Sequence, residues 1–493
     1  MDSPVTTDAS NLVEISSLVI YLVLLLVIGI GSIAKSRTAI DYTLAGRNIP
    51  WYIVLATTAA TMVGGGLSIG VVTRVYQTGV GAALVACGSY FSLVISGFFL
   101  APKLRDLEMT TVGDYFEYRF GLLARSLAAP ICIVFLLGAI AAQMVAVGLI
   151  TNVVLGIDYR TAVLIGAVVT VFYSTVGGLR AVIRTDILQF GILVGGFTAA
   201  ALLLAGNRGP VDLTTAMGDV LNDQWSLTRI VTLGCVYFLG EMLVPPFAQR
   251  CFMAKNGPSA RWGVAGAGLL LLLFMPLTTS ILGTACQGSP EIKHAIEVAG
   301  EAQVAFPTLM RNLFHPVFSG IMVAALIAAV MSSADSCLSS LATISMEDLY
   351  RRHLRKDASD RQLLRVAQGT TLLAGIGCAV AALYFRNIID WIEFIYSVWG
   401  PTMVLPFFVG ILWYKPSRVY ACVLAMFGGF SATLFWNFGA TSVSTLFDPK
   451  VGETVADIPP ALVGFLVCFV VFLVTWPLTQ NWRQSRLVTP RPR

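Results

Sequence analysis

The densest chemistry in this chain lies inside an apolar segment. Residues 328–340 read Ala-Ala-Val-Met-Ser-Ser-Ala-Asp-Ser-Cys-Leu-Ser-Ser. Hydroxyls and a carboxylate at mid-span are expensive in lipid, so they carry a function or a partner. Ser332, Asp335, Ser336 and Ser339 share one helical face by i, i+3, i+4, i+7 spacing, and Ser333 lies beside it. Small hydroxylic residues also serve helix–helix packing, but packing does not need a charge. Hydroxyl oxygens with nearby freed carbonyls suit a hard, weakly charged cation, and sodium is such a cation.

Two other segments supply freed carbonyls. From Trp51 to Gly79 the chain is apolar, yet it reads Ala60-Thr61-Met62-Val63-Gly64-Gly65-Gly66 near its centre. Each glycine disfavours helix by roughly 1 kcal/mol against Ala. Backbone freed from helix at membrane depth survives only where it lines a buried site. Far along the chain, Gly240-Glu241-Met242-Leu243-Val244-Pro245-Pro246 interrupts a second apolar segment, and prolines remove helix donors. A pair of interrupted segments in corresponding positions of two halves is the pointer to a transporter binding site.

The elements that must position these residues follow from composition. The 493 residues are 56% hydrophobic and 12% charged, with mean hydropathy +0.79. A soluble surface could not be covered with so few charges, so the chain is an all-α polytopic membrane protein in a lipid bilayer. A β-barrel would alternate in short segments, whereas the apolar runs here are long and continuous. The nine cysteines are scattered and read as core thiols; no disulfide framework or metal cluster is indicated. No nucleophile–base constellation appears, so an enzyme is not expected. The net charge of +5 reflects loops on one side of the membrane and implies no nucleic-acid partner.

Thirteen transmembrane segments are predicted, at about 12–34, 51–79, 81–101, 124–153, 159–178, 186–206, 227–249, 260–284, 316–345, 363–385, 388–413, 418–437 and 459–480. The first is too long for a signal peptide and has no basic leader, so it reads as a retained helix. Of the 32 Lys and Arg, 24 follow odd-numbered spans, among them Lys35, Arg37, Arg180, Arg184, Lys415, Arg418 and the arginines after Trp482. The positive-inside rule then places the N-terminus outside and the C-terminus in the cytoplasm, in the cell membrane. The outer loops 285–315 and 438–458 are expected to carry short surface helices. One transporter domain spans 1–493: an extra N-terminal helix (12–34), a first repeat (51–206), a second (227–413) and two C-terminal helices (418–480).

Several motifs together resemble the sodium:solute symporter family. They are Asp41-Tyr42-Thr43-Leu44-Ala45-Gly46-Arg47, then Gly177-Gly178-Leu179-Arg180-Ala181-Val182 followed by Thr185-Asp186 and Gln189, and Ala329 with Ser332-Ser333. The resemblance implies a LeuT-like core of five-plus-five inverted-repeat helices and Na+-coupled uptake by alternating access. It implies a main sodium site of backbone carbonyls at Ala60, Val63 and Ala329 with the hydroxyls of Ser332 and Ser333. Some members bind a second sodium, which would fall at Asp186, Asp335 and Ser336; here Asp335 stands in place of a serine common in those members. An ion pair of Asp186 with Arg180 or Arg184 is the structural alternative. Residues 61–66 and 331–336 are most similar to the high-affinity choline transporter branch, which cages a quaternary ammonium with tryptophans by cation–π contact. Met62, Ala139 and Val244 occupy the cage positions, which argues against choline.

Met62, Gly64, Gly65, Gly66 and Leu67 are expected to line the substrate cavity, facing Tyr90, Gln143, Glu241 and Val244. Gln143 could instead make an interhelical hydrogen bond. Glu241 could accept a substrate amine, stay protonated, or pair with Arg250 or Arg74. A small polar organic solute is favoured, with an amine or amino acid ahead of a carboxylate. The other readings are a membrane sensor that retains the transporter fold and a channel; two broken helices facing one site favour alternating access over a channel.

Overall fold

The computed structural model describes residues 9–31, 38–207, 220–287, 289–313, 315–384, 387–413, 419–444 and 458–479. Lys35, Arg37, Lys415, Arg418, the tail after Trp482 and most of the 438–458 loop lie outside the described residues. Among the described residues there is no strand, only two isolated bridges, Ile49 with Ala254 and Asn222 with Trp225. The long helices are α1 (Ala9–Ile30), α2 (Trp51–Met62), α3 (Gly66–Thr78), α4 (Gly81–Asp106), α5 (Leu122–Leu155), α6 (Tyr159–Asn207), α7 (Leu227–Glu241) and α8 (Pro245–Met253). They continue with α9 (Gly257–Gln287), α10 (Pro316–Ile344), α11 (Asp360–Ala382), α12 (Ile388–Leu412), α13 (Val419–Ser444) and α14 (Pro460–Thr479). In the 285–315 loop, short helices form at Pro290–Ala299 and Ala305–Leu313, as expected.

Nine of the described helices are long and apolar enough to span a membrane, and two broken pairs raise that to eleven. Thirteen is not reached by this measure. One reason is that the expected spans 159–178 and 186–206 run as one helical segment, α6, of 49 residues. At 1.5 Å per residue that is about 74 Å, more than twice a bilayer's hydrocarbon core. It is interrupted at Gly178, whose φ of 59° favours glycine. A Cβ there would also lie 2.5 Å from the ring of Tyr42. The Tyr42 hydroxyl donates to the Thr175 carbonyl, and Arg180 pairs with Asp41. Partial burial pushes the Asp41 carboxyl up, but hydrogen bonds from Arg180 and Thr38 outweigh it and hold it below its ordinary value. Two sequence motifs 130 residues apart are thus one packed joint.

Both interrupted segments are bent. α2 and α3 meet at 62°, and α7 and α8 at 51°. The first break falls at residues 63–65, and the third glycine already belongs to α3, which opens with the π-helical turn Gly66–Gly70. The second differs from the expectation in its cause. Pro245 and Pro246 occupy the first turn of α8, where their missing donors are not needed. The break lies upstream at Met242–Val244, with Leu243 in the left-handed region at φ 50°, uncommon for a bulky side chain.

α10 runs through the centre, packed on α1, α5 and α6, while α13 and α14 pack on one another and on α12. Around this core several helices approach backbone to backbone. A Cβ on Gly88 of α4 would lie 2.1 Å from the Gly234 carbonyl of α7, and one on Gly97 would lie 2.2 Å from the Ala265 amide of α9. Small residues at such crossings are what membrane helices use in place of a hydrophobic driving force. At one end Arg125 pairs with Asp114, Glu117 and Asp348, and Arg352 also reaches Glu117. These contacts tie the helix Val112–Phe120 to the π-helical extension of α10 at Ser345–Leu354.

Gly88→Val is expected to force α4 and α7 apart and destabilise the fold by about 1–3 kcal/mol, as overpacking does. Gly191→Ala, where a Cβ meets nothing within 4 Å, is the matched control and should not lower stability. Thermal unfolding of both proteins in detergent checks the pair, and equal melting temperatures would contradict the packing argument.

Candidate functional site

The two helix breaks face one cavity, and each break has a side-chain partner. The Gly65 amide donates to Gln143 Oε1 of α5 at 2.7 Å. The Met242 carbonyl accepts from the indole N–H of Trp399 on α12 at 3.0 Å. Freed backbone in a membrane must be satisfied from within the protein, and these contacts do that. Gln143 therefore makes an interhelical hydrogen bond and also lines the cavity.

On the other side of the first break stands the hydroxyl face of α10. Ser332 Oγ donates to the Ala60 carbonyl at 2.8 Å and to the Ala329 carbonyl at 2.9 Å. Ser333 Oγ donates to the Thr61 carbonyl at 2.6 Å and more weakly to Ala329 at 3.3 Å. Ala60, Ala329, Ser332 and Ser333 are thus drawn together from α2 and α10. Val63, at the end of α2, is fully buried, and its amide donates to the Ala59 carbonyl at 3.2 Å. Among the described residues no hydrogen bond links it to α10. A hydroxyl that donates to a carbonyl can turn its proton aside and offer a lone pair instead. A cation between Ser332 and Ala60 would then take oxygens from both helices, so the residues present fit a sodium ion in the chemistry of their donors.

The cavity, about 60 Å³ in volume, lies between α2, α3, α5, α7, α8, α10 and α12. Met62, Gly64, Gly66, Leu67, Gln143, Glu241 and Val244 line it. Gly65 and Tyr90 do not. Gly65 turns toward Ala146, which a Cβ there would meet at 2.6 Å. Tyr90, on α4, is buried away from it. Sequence reasoning missed the aromatic and aliphatic wall of Phe135, Phe247, Ile392, Ile395 and Tyr396. Such side chains in apolar spans look the same whether they face lipid, core or cavity.

Glu241 ends α7 at the break. Its side chain is 7% exposed, the Tyr396 hydroxyl is within hydrogen-bonding reach, and Oε2 has no partner among the described residues. The structural pairs considered for it are engaged elsewhere: Arg74 with Glu393 at 2.8 Å, and Arg250 with Asp186 at 3.2 Å. Asp186 does not pair with Arg180 or Arg184 either, since Arg250 is its counter-ion. Asp186, Asp335 and Ser336 do converge, around the Arg250 guanidinium.

Comparison with known proteins shows the family and the fold. Residues 42–429 match the model of the sodium:solute symporter family. The osmoregulated proline transporter of Bacillus subtilis (strain 168) is 25% identical over 446 residues, covering 86% of this chain and 88% of that protein. The sodium/glucose cotransporter of Vibrio parahaemolyticus is 25% identical, with 84% and 83% covered. The high-affinity choline transporter 1 of Caenorhabditis elegans is 27% identical, with 77% and 70% covered. Among solved structures, a substrate-bound, outward-open Na+-coupled sialic acid symporter superposes with a TM-score of 0.81 at 20% identity, over 94% of this chain and 98% of that one. That likeness establishes a shared LeuT-like fold. With a family match across most of its length and two broken helices meeting one hydroxyl-lined site, the chain belongs to the sodium:solute symporter family, whose coupling ion is sodium.

Proposed function

We propose that this chain is a secondary active symporter that imports a small polar organic solute with sodium by alternating access. The observation that carries the reading is the pairing of Ser332 with the Ala60 carbonyl across α10 and α2. It joins the broken helix beside the cavity to the hydroxyl face of the central helix. A sodium ion held by Ala60, Val63, Ala329, Ser332 and Ser333 would lock these two elements together. The solute would bind beside it, against Met62, Gly64, Gly66 and Leu67, in the cavity that Ser333 also lines. Ion and solute then stabilise the same arrangement of α2 and α10, which is a reciprocal coupling between two sites. Residues 51–206 and 227–413 are taken as the two inverted repeats, with the N-terminus outside and the C-terminus in the cytoplasm of a cell membrane.

The substrate favoured by the cavity carries a protonated amine, an amino acid or a simple amine. Glu241 brings to the cavity wall a buried carboxylate oxygen that has no partner among the described residues, and a bound ammonium would supply one. Phe135 and Tyr396 add aromatic faces that attract a cation. Among the relatives, one is named for proline and another for choline, while others are named for glucose and myo-inositol.

Uptake of radiolabelled amino acids, amines and polyols into proteoliposomes should rise with an inward sodium gradient for at least one amine-bearing solute. Uptake that is unchanged when choline replaces sodium would refute the symport reading, and would leave a sensor with the transporter fold. Ser332→Ala should weaken sodium dependence about tenfold or more, the scale of losing a polar partner in a buried site. Glu241→Gln should raise KM for the amine solute about tenfold or more while leaving sodium affinity within threefold. A variant that loses sodium affinity instead would place Glu241 outside the substrate site.

A further inference from the structure

One turn further along α10 from the Ser332 pair lies a second buried polar cluster that the proposed cycle does not use. At its centre is the guanidinium of Arg250, fully buried on α8. Its Nη2 lies 2.5 Å from Ser336 Oγ, 3.0 Å from Thr61 Oγ1, and 3.2 Å from both Thr57 Oγ1 and Asp186 Oδ2. These four oxygens come from α2, α6 and α10. One guanidinium nitrogen carries two protons, so it cannot direct a separate bond to each of four acceptors. The arrangement is an oxygen shell around a positive centre. Asp335 adds a second carboxylate nearby, accepting from the Tyr173 hydroxyl at 2.8 Å.

The shell is made of the residues at which a second sodium was expected. Asp186 and Ser336 both contact Arg250, and Asp335 completes the set. A sodium ion fits the donors but not the occupancy. It would have to share Asp186 and Ser336 with a fixed monocation. At ~4 Å and an effective dielectric near 20, two like charges repel enough to weaken binding roughly 1,000-fold.

We propose that Arg250 is a cation built into the chain at the second sodium position, and that this protein consequently binds and couples to a single sodium ion. The inference rests on the symport reading for its main site. The guanidinium bridges α8, beyond the second helix break, to α2, before the first. It thus supplies permanently the cross-link that a second ion would supply only when bound. Asp335 strengthens the negative field that holds the guanidinium. Removing the Arg250 charge leaves two carboxylates and the hydroxyls of Thr57, Thr61 and Ser336 around an empty centre, a donor set for a monovalent cation.

The test is the number of sodium ions bound at saturation by purified full-length protein, measured by equilibrium dialysis with sodium-22. The wild type should bind one ion and lose it in Ser332→Ala. Arg250→Gln should bind two, and Arg250→Lys, which keeps the charge, should bind one. Two ions on the wild type overturn this inference and leave the symport reading standing. One ion on a folded Arg250→Gln protein overturns the claim that the guanidinium excludes sodium. No ion on either protein overturns both readings. Should Arg250→Gln not fold, Ser336→Ala decides the matter in the wild-type background: sodium affinity within threefold supports the inference, and a loss of tenfold or more overturns it.

Discussion

Everything at the centre of this molecule depends on one constraint: backbone released from helix inside a membrane has no water to bond, so side chains must complete it. The chain breaks two helices and then supplies the partners from three others. Gln143 on α5 takes the Gly65 amide, Trp399 on α12 takes the Met242 carbonyl, and Ser332 and Ser333 on α10 take the carbonyls of Ala60 and Thr61. The same carbonyls and hydroxyls are the oxygens a weakly charged cation would use. Stability of the breaks and affinity for the ion thus draw on one set of groups. A site built this way responds to the ion by changing how two helices are joined, which is what a coupled transporter needs.

The polar layers are stacked along α10. The Ser332 layer joins it to the end of α2, the Ser336 layer joins it through Arg250 to α8 and α6, and near its far end Ser340 and Thr343 meet Gln249. Gln249 also donates to the Thr43 carbonyl at 2.8 Å, close to the Asp41–Arg180 joint. Polar groups in a low-dielectric interior are costly when unpaired and strong when satisfied. This ladder therefore holds the central helix in register against its neighbours. Backbone-close crossings such as Gly88–Gly234 then let the surrounding helices pack without bulk.

Much of this was legible in the residues. A glycine run at mid-span and a Glu-x-x-x-Pro-Pro segment announced the two breaks, because few other residue patterns release a helix in lipid. The motifs around Asp41 and Gly178 marked the family, but that they pack as one joint came only from the fold. The span count was less legible. Apolarity marks where a segment can cross, but a helix that continues through a glycine kink, as α6 does, blurs the boundary between two crossings. The cause of the second break was also misplaced: prolines read as breakers, yet in the first turn of α8 they are compatible with helix, and the strain sits at Leu243.

Charge pairing was the part that only the tertiary structure decided. The sequence by itself determined that a membrane transporter fold was present, that its helices break at Gly64–Gly66 and near Glu241, and that the face around Ser332 was polar. These follow from local preferences and from the cost of polar groups in lipid. Which arginine meets Asp186, and that the guanidinium of Arg250 fills the position where a second ion was expected, depended on contacts between residues 64 to 193 positions apart. Spacing along a chain says which residues share a helical face. It does not say which faces meet, because that is set by how the whole bundle packs.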